Sequence, residues 1–99
     1  MMNAGELQAT ITRDVKNLTQ YSIEVGKMLV EPVVETFECF DDHERQLWIV
    51  GSNGDYHLTF NERSCRYGLA FRNILKNFVS LGDYGTISDA YEALVAREE

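Results

Sequence analysis

The chain has 99 residues, which is enough for one domain with a buried core. Its formal net charge of −7 argues against direct binding of nucleic acid or of an anionic membrane surface, because both need clustered lysine and arginine. It has no apolar run of about 18 residues and no signal-peptide pattern at its start. We therefore expect a cytoplasmic protein without a membrane span.

The first predicted element is one long amphipathic helix, roughly from Gly5 to Leu29. Apolar residues recur along it at helical spacing and would form one buried face: Leu7, Ile11, Val15, Leu18, Val25, Met28 and Leu29. The only proline, Pro32, cannot continue a helix and therefore marks the boundary with the next element.

A strand is predicted from Val33 to Phe40, where β-branched and aromatic residues dominate. The polar segment 41–45 then forms a turn. It contains Asp41, Asp42 and Glu44, whose spacing matches neither a zinc site nor a calcium site. We expect these acidic side chains at the tip of a hairpin, where they would attract a basic surface.

The strongest local signal is Asn53-Gly54, which is typical of a two-residue hairpin turn because both residues tolerate a positive φ. A turn at those residues places Ser52 opposite Asp55. One face of the hairpin would then carry Leu47, Ile49, Tyr56, Leu58 and Phe60, and the other would carry Trp48, Val50, His57 and Thr59. Trp48 is either covered by the first helix or offered to a partner, and the pattern leaves both alternatives open.

The segment 69–81 has two interpretations, a helix or two short strands. The flanking glycines and the pair Phe78-Val79 favour two strands, Gly68–Arg72 and Phe78–Leu81.

A short amphipathic helix is predicted at the C-terminus, with Thr86 as its cap and Asp89 as the capping-box partner. The whole chain, 1–99, therefore reads as a single α+β domain. It combines a long N-terminal helix, an antiparallel meander of three to five strands and a short C-terminal helix. Both helices must bury an apolar stripe, so we expect them to pack on the sheet.

No pattern in the sequence specifies catalysis. Cys65 lies between Arg63 and Arg66, which favour a thiolate, and His43 or His57 could act as its base, but no catalytic signature surrounds it. The acidic residues are spread along polar faces, and neither glycine-containing turn matches a phosphate-binding loop. We expect the protein not to be an enzyme and to need no cofactor or metal.

Three stretches of the last third form a recognisable pattern: Tyr67–Phe71, Phe78–Thr86 and Asp89–Leu94. In this pattern a Gly-Leu-Ala strand, a second strand ending near glycine and a short helix follow one another. It resembles the C-terminal part of small immunity proteins from bacterial toxin systems. The resemblance implies an α+β fold and a cytoplasmic inhibitor that binds one cognate toxin, often an enzyme with a basic site. It carries over no functional signature residue.

Together these observations predict a protein-binding module, an acidic immunity-type inhibitor that occludes a basic toxin or enzyme. The expected contact residues are Asp41, Asp42, Glu44, Trp48 and His57. Two alternatives stay open. One is a secretion-type chaperone or adaptor that acts as a homodimer, and the other is a small ligand-binding domain.

Overall fold

The computed structural model describes residues 2–39, 43–75 and 77–98. The chain forms helices α1 (Ala4–Lys16), α2 (Ser22–Met28) and α3 (Ile87–Glu98), and strands β1 (Leu29–Glu38), β2 (Glu44–Asn53), β3 (Tyr56–Asn61), β4 (Arg66–Arg72) and β5 (Phe78–Gly85). The predicted α+β class with an antiparallel meander is confirmed, and 69–81 contributes strands. No helix in the described ranges is long and apolar enough to cross a membrane.

The five strands form a strongly bent meander that closes into a barrel. Successive strands pair antiparallel in chain order. Parallel pairing of Glu38 in β1 with Val79 in β5 completes the ring. Next to this pair, the rings of Phe37 and Phe78 lie 5.3 Å apart. Irregularities in the β1–β2, β2–β3 and β4–β5 ladders supply the extra twist that such a bend requires.

Side chains are buried on both faces of the sheet. The outer face packs against all three helices through Leu7, Ile11, Val25, Met28, Trp48, Val50, Leu58, Phe60, Tyr67, Leu69, Ile87, Ala90 and Leu94. The inner face holds a smaller cluster of strand residues: Phe37, Leu47, Ile49, Ala70 and Phe78. The Phe78 ring also lies 5.5 Å from the ring of His57, on a strand that is not its neighbour. Such a contact requires a curved sheet that encloses both side chains.

The extent of the predicted N-terminal helix is wrong. Helix α1 ends before Asn17, and the chain turns through Tyr21, which has a φ of 67°. One straight helix of about 25 residues would be about 37 Å long, which exceeds the 36 Å length of the whole molecule. The break lets α2 bury Val25 and Met28 in the core that α1 enters.

The start of the first strand also differs from the prediction. Strand β1 begins at Leu29, so Pro32 lies inside it. The β1–β2 register shifts between Leu29 and Val33, and this irregularity accommodates a residue that has no N–H to donate.

The predicted hairpin turn is displaced by one residue. Asn53 pairs with Tyr56, so the turn consists of Gly54 and Asp55, and Gly54 takes the positive φ of 63°. Next to the turn the partners therefore differ from the prediction by two residues, and a bulge between Ile49 and Gly51 reduces the difference to one. Trp48 therefore pairs with Phe60 on the outer face. The predicted apolar face divides, with Leu58 and Phe60 outside but Leu47 and Ile49 inside.

Polar contacts fix the positions of the first and last helices. The predicted cap of α3 is confirmed, because Asp89 N–H donates to Thr86 Oγ1 at 3.2 Å and Thr86 N–H donates to Asp89 Oδ2 at 3.1 Å. Helix α1 is tied to β4 by the Tyr67 hydroxyl, which donates to Asp14 Oδ2 at 2.7 Å. Burial and this hydrogen bond raise the pKa of Tyr67.

We expect Gly68→Ala to destabilise the protein by about 1–3 kcal/mol, because the added methyl group would overpack the site. It would clash with the Gly82 carbonyl oxygen and lie 3.0 Å from Thr59 Oγ1. In Gly26→Ala the methyl group meets no atom within 4 Å. This exposed helical position should gain about 0.5–1 kcal/mol. Urea unfolding measures both changes, and a Gly68→Ala variant at least as stable as wild type would contradict the close packing at Gly68.

Candidate functional site

A groove rich in carboxylates lies where the barrel closes. We call it the acidic groove. Its cavity volume is about 320 Å³, and it is lined by Glu35, Thr36, Glu38, Glu44, Asn77 and Phe78. It lies there because β1 and β2 end beside the start of β5.

Two of these carboxylates occupy directly opposite positions. Glu38 of β1 pairs with Glu44 of β2, and both are exposed. Like charges at opposite positions of an antiparallel ladder destabilise the sheet. A cationic group bound between them would reverse that cost, so the pair marks a place where a positive charge is favoured.

Two aliphatic side chains project into solvent beside the acidic groove. In the β4–β5 loop, Ile74 is 93% exposed and Leu75 is 74% exposed. We call these two residues the apolar tip. The loop ends at Asn77, which also lines the groove. The loop that carries the apolar tip therefore also contributes a residue to the acidic groove.

Hydrogen bonds within the loop give it a defined shape. Asn73 Oδ1 accepts from the backbone N–H of Leu75 and from that of Asn77, both at 3.0 Å. Asn73 N–H also donates to the Asn77 carbonyl at 3.0 Å. At the base of the loop, the Arg72 guanidinium lies 5.2 Å from the centre of the Phe78 ring. The apolar tip is thus held on an ordered turn.

The expected contact residues have different locations. Glu44 lines the acidic groove. Asp41 and Asp42 lie outside the described residues, and in the sequence they stand between the strands that carry Glu38 and Glu44. Trp48 is only 7% exposed and belongs to the outer core cluster, which residues of α1 and α2 also join. Of the two alternatives for Trp48, burial is therefore the one observed, and we remove it from the set of contact residues.

The expected contact residue His57 faces the inside of the barrel and is half-buried. Its Nδ1 lies 2.8 Å from Ser52 Oγ, a hydrogen-bond distance. Its Nε2 is buried and has no hydrogen-bond partner among the described residues. Burial lowers the pKa of His57 from its usual 6.5, the positive charge of Arg72 lowers it further, and Asp55 acts in the opposite direction. His57 is therefore not among the residues that line the acidic groove.

A second cavity opens at the other end of the inner face. We call it the mouth cleft; its volume is about 290 Å³, and it is lined by Cys39, Arg45, Leu47, Asn61, Ser80, Gly82 and Asp83. Asn61 Nδ2 donates to Asp83 Oδ2 at 3.2 Å, and Asn61 Oδ1 accepts from the Arg63 N–H at 3.0 Å. The cleft thus presents an ordered amide, a carboxylate and a guanidinium.

The structure does not bring the candidate nucleophile Cys65 together with His57. Cys65 is exposed in the β3–β4 turn, and its Sγ donates to the Glu62 carbonyl at 3.8 Å. His57 lies near the opposite end of β3, about 13 Å away along the strand. Within the described ranges, no group of three or more His, Cys, Asp or Glu side chains could hold a metal ion.

The sequence interpretation missed the apolar tip and one side of the acidic groove. If 69–81 forms two strands, Ile74 and Leu75 lie in the loop between them. Two adjacent aliphatic residues in a loop indicate an exposed apolar patch, and this was the available signal. The sequence pattern predicts Glu35 and Glu38 to be solvated residues on a polar face. Their place opposite β2 depends on the register of β1, which the local pattern does not specify.

Comparison of this chain with protein-family models, with curated proteins and with solved structures finds no match. The assignment of a site therefore depends on the geometry alone.

We expect Asn73→Ala to destabilise the protein by about 1 kcal/mol, because two backbone N–H groups lose their acceptor. Amide hydrogen exchange of Leu75 and Asn77 should become faster. The matched control is Asn73→Asp, which keeps the side-chain oxygen and should keep both amides protected. Equal exchange in the two variants would contradict the role of Asn73 Oδ1.

Proposed function

We propose that the protein is a protein-binding module, an acidic inhibitor of the immunity type that covers a basic site on a toxin or other enzyme. The observation that carries this proposal is the opposed pair Glu38 and Glu44 beside the exposed apolar tip. Natural sequences tend to break local rules of stability at functional sites. Here a like-charge pair and two exposed aliphatic side chains break two such rules on one surface.

The charge of the chain supports a basic partner. With 16 acidic and 9 basic residues, the protein attracts positive surfaces at long range. Glu35, Glu38 and Glu44 converge on one groove and give that attraction a local target. A lysine or arginine of the partner would be accepted between Glu38 and Glu44. Such complementary charges mainly raise the rate of association and the specificity.

The apolar tip supplies the anchoring contact. Affinity at protein interfaces comes mostly from a few side chains that become buried at the centre of the contact. Ile74 and Leu75 are the most exposed of the large apolar residues in the described chain. Asn73 already orders their loop, so binding would lose little conformational entropy. We assign the tip to an apolar hollow next to the basic site of the partner.

A second candidate function is the binding of a small polar ligand, which the mouth cleft favours. Barrel mouths are frequent ligand sites, and this one combines a guanidinium, a carboxylate and an ordered amide. The two functions use different side chains, because the mouth cleft and the acidic groove share no lining residue. Ligand-induced NMR shifts confined to Asn61, Ser80 and Asp83 would favour this second candidate.

We expect the double variant Ile74→Ser, Leu75→Ser to weaken partner binding at least about tenfold, because the anchoring side chains are lost. The experiment is a pull-down from the source organism with tagged protein, washed at low and then high salt. Wild type should retain a basic protein that high salt removes. The dissociation constants of wild type and of the double variant are then measured with the captured protein.

The matched control is Ile23→Ser, since Ile23 in α2 is 68% exposed but lies outside the proposed surface. This variant should capture the same protein as wild type. Equal capture by the tip variant, or the same loss in both variants, would overturn the assignment of the surface.

We expect Glu44→Gln to separate stability from binding. Removing one charge of the opposed pair should stabilise the fold by about 0.2–1 kcal/mol and also weaken partner binding. In the control, Glu24→Gln, the charge near the start of α2 is lost, so stability should stay equal or fall slightly, and binding should not change. Urea unfolding and titration calorimetry measure the two effects. A destabilised Glu44→Gln variant would contradict the repulsion between Glu38 and Glu44.

A further inference from the structure

His57 and Phe78 connect the inside of the barrel to the loop that carries the apolar tip. Phe78 is the first residue of β5, directly after that loop. Its ring contacts the edge of the His57 ring at 5.5 Å, the Phe37 ring at 5.3 Å and the Arg72 guanidinium at 5.2 Å. Phe78 is thus the side chain by which the loop is docked.

The surroundings of His57 suit only the neutral imidazole. One ring nitrogen is satisfied by Ser52 Oγ at 2.8 Å, and the other is buried without a partner. Protonation puts an N–H group on both ring nitrogens, so the imidazolium would be a partly buried cation whose Nε2–H has no acceptor among the described residues, which is unfavourable.

The charged groups around His57 do not offset this cost. Arg72 approaches from β4 and opposes a second positive charge, whereas Asp55 in the β2–β3 turn favours it. From β1, Glu35 and Glu38 line the acidic groove together with Phe78. Burial has the largest effect on His57, and it acts in the same direction as Arg72.

We propose that His57 and Phe78 form an acid-sensitive latch: protonation of His57 undocks Phe78 and releases Asn73 and the apolar tip. The latch itself depends only on the contacts of His57. Its consequence, weaker partner binding in acid, rests on the proposed function of the apolar tip.

The direction of the pH dependence follows from the coupling between protonation of His57 and opening of the latch. In the docked state the pKa of His57 lies below 6.5, and in the undocked state it returns toward that value. The latch is therefore fully stable above pH 6.5 and weakens as the pH falls toward the pKa of the docked state. Across that interval one proton is taken up on opening, so the opening equilibrium constant rises by up to about tenfold per pH unit.

The test is amide hydrogen exchange between pH 7.5 and 5.5, corrected for the intrinsic pH dependence of exchange. Protection of the amides of Arg72, Asn73 and Asn77, which donate within this region, should fall by up to about tenfold per pH unit below pH 6.5. Protection of core amides such as that of Leu58 should stay constant. The same fall at all amides would indicate global destabilisation and would overturn the latch.

Two variants identify the titrating group, since the chain has only two histidines. His57→Gln keeps a side chain able to bond to Ser52 but does not titrate, so its loop protection should not depend on pH. His43→Gln changes an exposed residue and should behave as wild type. If His57→Gln does not fold, an NMR titration of the two wild-type imidazoles replaces it, and a His57 pKa at or above 6.5 would overturn the latch.

These measurements need no partner, so they separate the latch from the proposed function. A pH-dependent loop combined with unaltered capture by the Ile74→Ser, Leu75→Ser variant would keep the latch and reject the binding surface. A loop whose protection does not depend on pH, combined with loss of capture by that variant, would reject the latch and keep the binding surface.

Discussion

The closure of the barrel is the constraint on which the rest of this structure depends. Pairing of Glu38 with Val79 brings the end of β1 beside the start of β5. The tilted rings of Phe37 and Phe78, 5.3 Å apart, support this junction from inside. Without it, the carboxylates of β1 and β2 would lie far from the β4–β5 loop. Closure therefore brings the loop that carries the apolar tip to the acidic groove, and it also brings Phe78 against His57.

The surface at this junction combines two features that local stability does not favour. They are the opposed Glu38 and Glu44 and the two aliphatic side chains in open solvent. By contrast, the caps of α1 and α3 agree with the sequence preferences of helix ends. A partner with a cation beside an apolar hollow would satisfy both features together. A single basic protein meets that description better than a nucleic acid or an anionic membrane would.

Much of the fold follows from local sequence signals, but the surface does not. The capped C-terminal helix, the hairpin around Gly54 and the two strands within 69–81 depend on residues close in sequence, and their presence was predictable. The bulge at Val50 and the break at Tyr21 are set by tertiary packing, so the register and the first helix were predicted wrongly. The junction of Glu38 with Val79 joins distant parts of the chain. Among the expected contact residues that the structure describes, Glu44 lines the groove, whereas Trp48 and His57 do not.

The most direct test of the central claim is site-specific photo-crosslinking from the apolar tip. A benzophenone amino acid replaces Leu75 in one protein and Ile23 in the other, and both are irradiated in lysate of the source organism at low and high salt. The account predicts that one basic protein crosslinks to position 75 but not to position 23, and that high salt weakens the crosslink. Equal crosslinking from both positions, or a crosslink to an acidic protein that salt does not affect, would contradict it.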